Sequence, residues 1–254
     1  ISTCDWSSDV CSSDLTSLGY VHRRLTGWLN AEGKQVEVVP DLGDTGKSSD
    51  GGKTWTFTLK EGQKFSDGSP IRAQDVKWGV ERTFAPAFSG GLGYHKQLLI
   101  GGGDYRGPFE GKRLDSIETP DDRTVVFRLT RPYGDWPWIT STPAFAPVPE
   151  GKGAEPDYGE HPVASGPYQI AEYQRGVQVR LTRNPNWDKT TDYKPAYLDE
   201  IEMPQGNDDT TVASRRVVEG VPGQLHPRLG HRGQRVDPGG AGLGVLVLTR
   251  QQRA

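Results

Sequence analysis

The stretch Asp41-Leu-Gly-Asp-Thr-Gly46-Lys47-Ser48 comes within one residue of a phosphate-binding loop. That motif needs glycine where Asp41 stands. It also needs a helix after the lysine, so that backbone N–H groups and the helix terminus cradle phosphate. Here Lys47 leads instead into a turn and an alternating strand, and a carboxylate at Asp41 repels phosphate. The segment is therefore no nucleotide site by pattern. The five histidines, His22, His95, His161, His226 and His231, are scattered, and no His/Cys/Asp/Glu cluster has metal-ligand spacing. No G-x-S-x-G nucleophile elbow occurs. Neither catalytic residues nor a metal or cofactor are expected.

The elements that would position any site are strands. Lys53 to Lys60 alternates, with Trp55, Phe57 and Leu59 on one face and three threonines on the other, the pattern of a half-buried strand. A helix is expected from about Arg72 to Phe84, with Ala73, Val76, Val80 and Phe84 on one side and Pro86 as its stop. Two hairpins come next. One joins Leu114–Glu118 to Thr124–Arg131 around Pro120-Asp121-Asp122. The other joins Gln169–Tyr173 to Val177–Arg183 around Arg175-Gly176. A second helix is expected over Asp208–Glu219. The glycine-rich stretch Gly90–Gly111 reads as loop, the kind of segment that carries binding residues on a strand scaffold. Trp55 and Trp78 read as structural. Trp136 and Trp138, flanking Pro137, read as caps on the core rather than ligand contacts.

The chain has 254 residues and a net charge of -3, unevenly spread. Residues 1–15 hold both cysteines, three aspartates and no Lys or Arg, and show no periodicity. The run CDWSSDVCSSDL resembles a translated sequencing-adapter remnant, so 1–15 is read as a non-native leader rather than a metal pair, a disulfide or a lipidated Cys4. Residues 220–254 carry five arginines, one aspartate, no lysine and no aromatic residue. That composition reads as a frameshifted or disordered tail beyond residue 220. Both ends are expected to make few contacts with the body. No apolar run reaches the length of a membrane span, no signal peptide is visible, and the mildly acidic balance argues against a nucleic-acid partner.

Seven ordered motifs in the body resemble the family 5 extracellular solute-binding proteins, the peptide/nickel-binding group. Asp50–Phe84, DGGKTWTFTLKEGQKFSDGSPIRAQDVKWGVERTF, is similar to the family signature almost position for position. Leu114–Tyr133, Phe145–Pro149, Ser165–Ile170, Arg183–Asp188, Tyr197–Met203 and the segment ending Val217-Val218-Glu219-Gly220 come after it in the family's order. The resemblance implies an α/β fold: the first lobe of a bilobal, type II periplasmic-binding-protein-like molecule, strand-rich with few helices. Residues 16–220 would be that lobe, with about 27–160 a peripheral subdomain and 161–220 part of the hinge-proximal one. The second lobe would be missing.

The same resemblance implies a substrate-binding component of an ABC importer. Its ligand would be an oligopeptide or similar small solute and its partners the permease subunits. It would work in the periplasm or on the outer face of the membrane, reaching the bilayer only through a lipid anchor that this chain lacks. Peptide is preferred to nickel because no metal-ligand cluster is visible. In the family, the loop after the signature helix lends an aromatic side chain to the peptide pocket, which makes Tyr94 and His95 the candidate ligand-binding residues. The competing reading is that Tyr94 packs within its own lobe. The alternative function is a ligand-sensing domain of a transcriptional regulator with the same fold, and a third class is an enzyme.

Overall fold

The computed structural model describes residues 19–30, 32–33, 35–88, 92–154, 158–175, 177–204 and 247–249. The leader 1–15 and the helix expected over 208–219 lie outside the described residues. The chain divides into two compact units. The first comprises Ile1–Gln169 and Asn184–Ala196, the second Ile170–Arg183 and Tyr197–Ala254.

In the first unit the alternating segments become strands because one face of each can be buried completely. Strand β1 (Thr26–Leu29) pairs antiparallel with β2 (Glu37–Pro40). Strands β3 (Thr54–Thr58), β4 (Ile117–Glu118) and β5 (Thr124–Arg128) form an antiparallel sheet in the order β3-β5-β4. Phe57 stands opposite Val125 and Trp55 opposite Phe127, while Ile117 flanks Phe127 from the other side. Phe57, Val125, Phe127 and Ile117 are fully buried. Trp55 is only partly buried: its ring stacks on Phe57 at 6.4 Å, and its indole N–H lies 3.2 Å from the carbonyls of Gly52 and Tyr133. The face expected of this strand is present, but its innermost residue is Phe57.

Helix α1 (Ala73–Arg82) packs on β5, with Ala73, Val76 and Val80 at zero exposure. It starts where the Arg72 N–H donates to the Asp75 carboxylate at 2.8 Å, satisfying a donor that the first turn leaves open. Gly79 is required by packing. A Cβ there would lie 2.1 Å from the Ala146 carbonyl oxygen, so the helix meets the Phe145–Pro149 segment backbone to backbone. The glycine-rich stretch is not loop throughout: it holds helix α2 (Tyr94–Leu98) and a 3₁₀ turn at Pro108–Glu110. Helix α3 (Trp136–Ile139) brings Trp136 to zero exposure, where Trp136, Phe127 and Phe145 meet edge to face at 5.5–5.6 Å. Such contacts add to the area these rings bury. Trp136 is thus core, whereas Trp138 is 38% exposed.

The second unit is built on the sheet β6-β7-β8-β9, from β6 (Tyr168–Gln174), β7 (Gln178–Arg183), β8 (Glu200–Pro204) and β9 (Val247–Thr249). The hairpin expected around Arg175-Gly176 supplies β6 and β7. Strand β8 pairs antiparallel with β7, Leu181 opposite Ile201, and both side chains are buried. The tail read as apart from the body contributes β9, whose Leu248 stands opposite Ile201.

The aromatic centre of the first unit sets a stability expectation. Phe57→Ala should cost about 3–5 kcal/mol by urea unfolding, the range for emptying a buried aromatic site. Trp55→Ala should cost clearly less, because part of that ring is already in water. Equal losses would contradict the assignment of Phe57 as the inner position.

Candidate functional site

Tyr94 and His95 are adjacent in sequence and opposite in environment. Helix α2 is tied to the end of β5 through Ile100 N–H to the Arg128 carbonyl at 3.1 Å and Thr130 N–H to the Leu98 carbonyl at 2.8 Å. On this short helix Tyr94 is 58% exposed and His95 is 1% exposed. The His95 ring lies edge-on to Phe84 at 5.4 Å and to Phe145 at 5.6 Å. Its Nε2 is 2.8 Å from the Thr83 hydroxyl. The Thr83 hydroxyl also lies 2.7 Å from the Val80 carbonyl. Burial, with the Lys96 charge adding, holds the His95 imidazole down at about 3, so it is neutral in the fold. An enclosed ring of this kind does not reach a ligand at the surface. Any binding by this segment rests on Tyr94, with His95 as the anchor that seats its helix.

The near-P-loop segment does something else. Its N–H groups are already used: Gly43 donates to Leu25, Asp44 to Thr58 and Lys47 to Thr56, at 2.9–3.0 Å. The last two bonds run the segment along β3, and all three commit donors that a phosphate loop would leave free. Asp41 is buried and accepts from Arg23 Nε at 2.7 Å. Arg23, itself 2% exposed, also donates to the Asp41 carbonyl at 2.7 Å and to the Thr191 hydroxyl and carbonyl at 2.8 and 2.7 Å, with the Asp192 carboxylate 3.6 Å away. Motif and periodicity do not reveal this cluster. Its one trace is the pair of arginines in Val21-His-Arg-Arg-Leu25, just before an apolar strand. Among the described residues no three His, Cys, Asp or Glu side chains converge as a metal site, and no helix is long and apolar enough to cross a membrane.

Comparison with known proteins bears on what this scaffold is for. A sequence model described as "Bacterial extracellular solute-binding proteins, family 5 Middle" matches residues 37–217. The chain belongs to that family. Among curated relatives it is 29% identical over 194 residues to the probable D,D-dipeptide-binding periplasmic protein DdpA of Escherichia coli, covering 73% of this chain and 34% of the relative. It is 29% identical over 188 residues to the dipeptide-binding protein DppE of Bacillus subtilis, covering 70% and 33%. Among solved structures, the clavulanic acid biosynthesis oligopeptide binding protein 2 superposes with a TM-score of 0.77 at 34% identity, covering 84% of this chain and 40% of that one. Listeria monocytogenes OppA bound to peptide shares the fold at 21% identity, TM-score 0.68, covering 85% and 43%. The chain thus spans about a third of the length of these curated relatives. It carries a strand-rich part of the family 5 fold with few helices.

The buried groups lend themselves to two measurements. Asp41→Ala leaves the Arg23 guanidinium buried without its closest carboxylate and should cost about 3–5 kcal/mol in urea unfolding, as breaking a buried pair does. A loss under about 1 kcal/mol, the scale of an exposed pair, would show that the pair is solvated. His95 binds a proton in the unfolded chain near its ordinary 6.5 but in the fold only near 3. Its neutral burial therefore stabilises fully above pH 6.5 and is lost as pH falls from 6.5 towards 3. His95→Phe should flatten the decline of unfolding free energy across that window, and an unchanged slope would place the His95 ring in solvent.

Proposed function

We propose that the protein is the peptide-binding component of an ABC importer, exported to the periplasm or the outer face of the membrane, and that residues 16–220 are one lobe of it. Support comes from family membership over residues 37–217, the names borne by its relatives, and one structural observation: Tyr94 stands exposed on a helix whose next residue is locked in the core. A tyrosine offers a flat apolar face and one hydroxyl. That suits ligands which share a backbone and differ in side chains. Seating it on an anchored helix reduces the ordering cost of binding. Ligand would be held between this lobe and a second one, and the closed state would be favoured by its greater affinity for ligand. Permease subunits would then receive the closed, loaded form. The task is binding, not turnover.

The test uses a chimera in which residues 37–204 replace the matching part of the oligopeptide binding protein 2 of clavulanic acid biosynthesis. The chimera should bind oligopeptides by calorimetry. Tyr94→Ala in it should weaken binding about tenfold, equivalent to about 1.4 kcal/mol. The 254-residue chain by itself should bind on the order of millimolar or weaker, because one wall leaves half the ligand in water. A folded chimera that binds no peptide would overturn the reading. An unchanged affinity in the Tyr94→Ala chimera would remove Tyr94 from the site.

A further inference from the structure

The charge around Tyr94 is one-sided. From Thr83 to Gly103 the chain has no Asp or Glu, and its one Lys or Arg is Lys96, two residues after Tyr94. His95 between them is neutral. Helix α2 is held to the end of β5 through Leu98 and Ile100, and the next charged residue along that strand is Arg131, which is exposed. Two acids come near this end of the strand, and both are engaged. Glu118 pairs with Arg128. Asp50, whose charge also acts on Arg128, accepts the N–H groups of Lys53 and Thr54 at 3.1 and 2.8 Å. Lys96 and Arg131 have no carboxylate partner among the described residues.

Lys96 is half-buried, and its Nζ lies 5.9 Å from the centroid of the Phe84 ring. Its Cδ is 3.7 Å from the place a Cβ on Gly93 would take. The lysine stem therefore passes Gly93, the residue just before Tyr94, so an ammonium and an exposed aromatic ring flank one glycine. Burial pushes the Lys96 pKa down: the ammonium has lost part of its water and gained no counter-charge. A ligand carboxylate would supply that charge through a charge-assisted hydrogen bond, stronger than a neutral amide offers. A ligand cation would be repelled. Peptides carry carboxylates in two places, the C-terminus and the side chains of Asp and Glu. Residues of an extended peptide rise by about 3.3 Å each, so one short peptide can lie on the Tyr94 ring and still present a carboxylate to Lys96.

We propose that Lys96, with Arg131 as a second cation, makes this wall of the site selective for peptides that present a carboxylate. The proposal rests on the peptide-binding reading and adds the ligand class. Three tripeptides are titrated into the ¹⁵N-labelled 254-residue protein. Ala-Gln-Ala amide has no carboxylate, Ala-Gln-Ala has a terminal one, and Ala-Glu-Ala amide has one on its side chain. Dissociation constants come from the backbone amide shifts of residues 92–98. At least one carboxylate peptide should bind about threefold to fivefold tighter than Ala-Gln-Ala amide, the scale of a partly exposed ion pair, and the tighter one identifies the carboxylate used. The chain's net charge of -3 works against such a preference, so its source would be local. Lys96→Gln, checked by its backbone spectrum, should remove most of the preference and leave the binding of Ala-Gln-Ala amide as it was. If that variant does not fold, the ranking of the three peptides by the unmutated protein decides. Equal binding of all three would overturn the proposal while the peptide reading stands. A preference retained in folded Lys96→Gln would overturn it too. So would no response to any of the three, with the peptide reading then judged separately by the chimera.

Discussion

A guanidinium at 2% exposure is the most demanding group in the first unit, because every donor it carries must be met where water is excluded. Arg23 meets that demand from two separate stretches of chain: the turn at Asp41, and Thr191 with Asp192. Lys60 adds a hydrogen bond to the Thr191 carbonyl at 2.6 Å, and Lys194 reaches back to the Gly19 carbonyl at 3.1 Å. The segment 184–196 comes directly after a strand of the second unit, yet it belongs to the first. Asn184 and Asn186 secure it further, through the carbonyls of Gly166 and Ser66. Within the frame so closed, the sheet β3-β5-β4 and helix α1 bury their aromatic centre. That centre encloses His95, and His95 seats the helix that carries Tyr94. The exposure of Tyr94 is thus a consequence of packing several residues away.

Much of the body is legible in the residues alone, for a physical reason. Thr54–Thr58 and Thr124–Arg128 alternate because each lies on a sheet with one wet and one dry face, and α1 repeats its apolar residues at helical spacing for the same reason. Periodicity does not say which strand is central. Strand β5 lies between β3 and β4 although β4 precedes it in the chain. Nor does it say how deep a residue sits, and Trp55 proves shallower than Phe57 because its indole N–H is met at the rim.

The features that sequence pattern does not carry depend on partners remote in the chain. Nothing near Asp41 announces Arg23, eighteen residues before it, or Thr191, far beyond. The glycines from Gly90 onward mask a five-residue helix held by bonds to β5 rather than by its own propensity. For the same reason Tyr94 and His95 look alike as candidates in the sequence, while the fold sends one outward and the other into the aromatic core.

An exposed aromatic on an anchored helix, in a chain of the family 5 solute-binding proteins, is the physical basis for reading this lobe as one wall of a peptide site. The most direct measurement is photo-crosslinking of a tripeptide bearing a benzophenone side chain to the chimera that carries residues 37–204, with the adduct mapped by mass spectrometry. An adduct on the segment 92–98 that unlabelled oligopeptide competes away is the expected result. Adducts confined to other segments, or none that a competitor removes, would contradict the account.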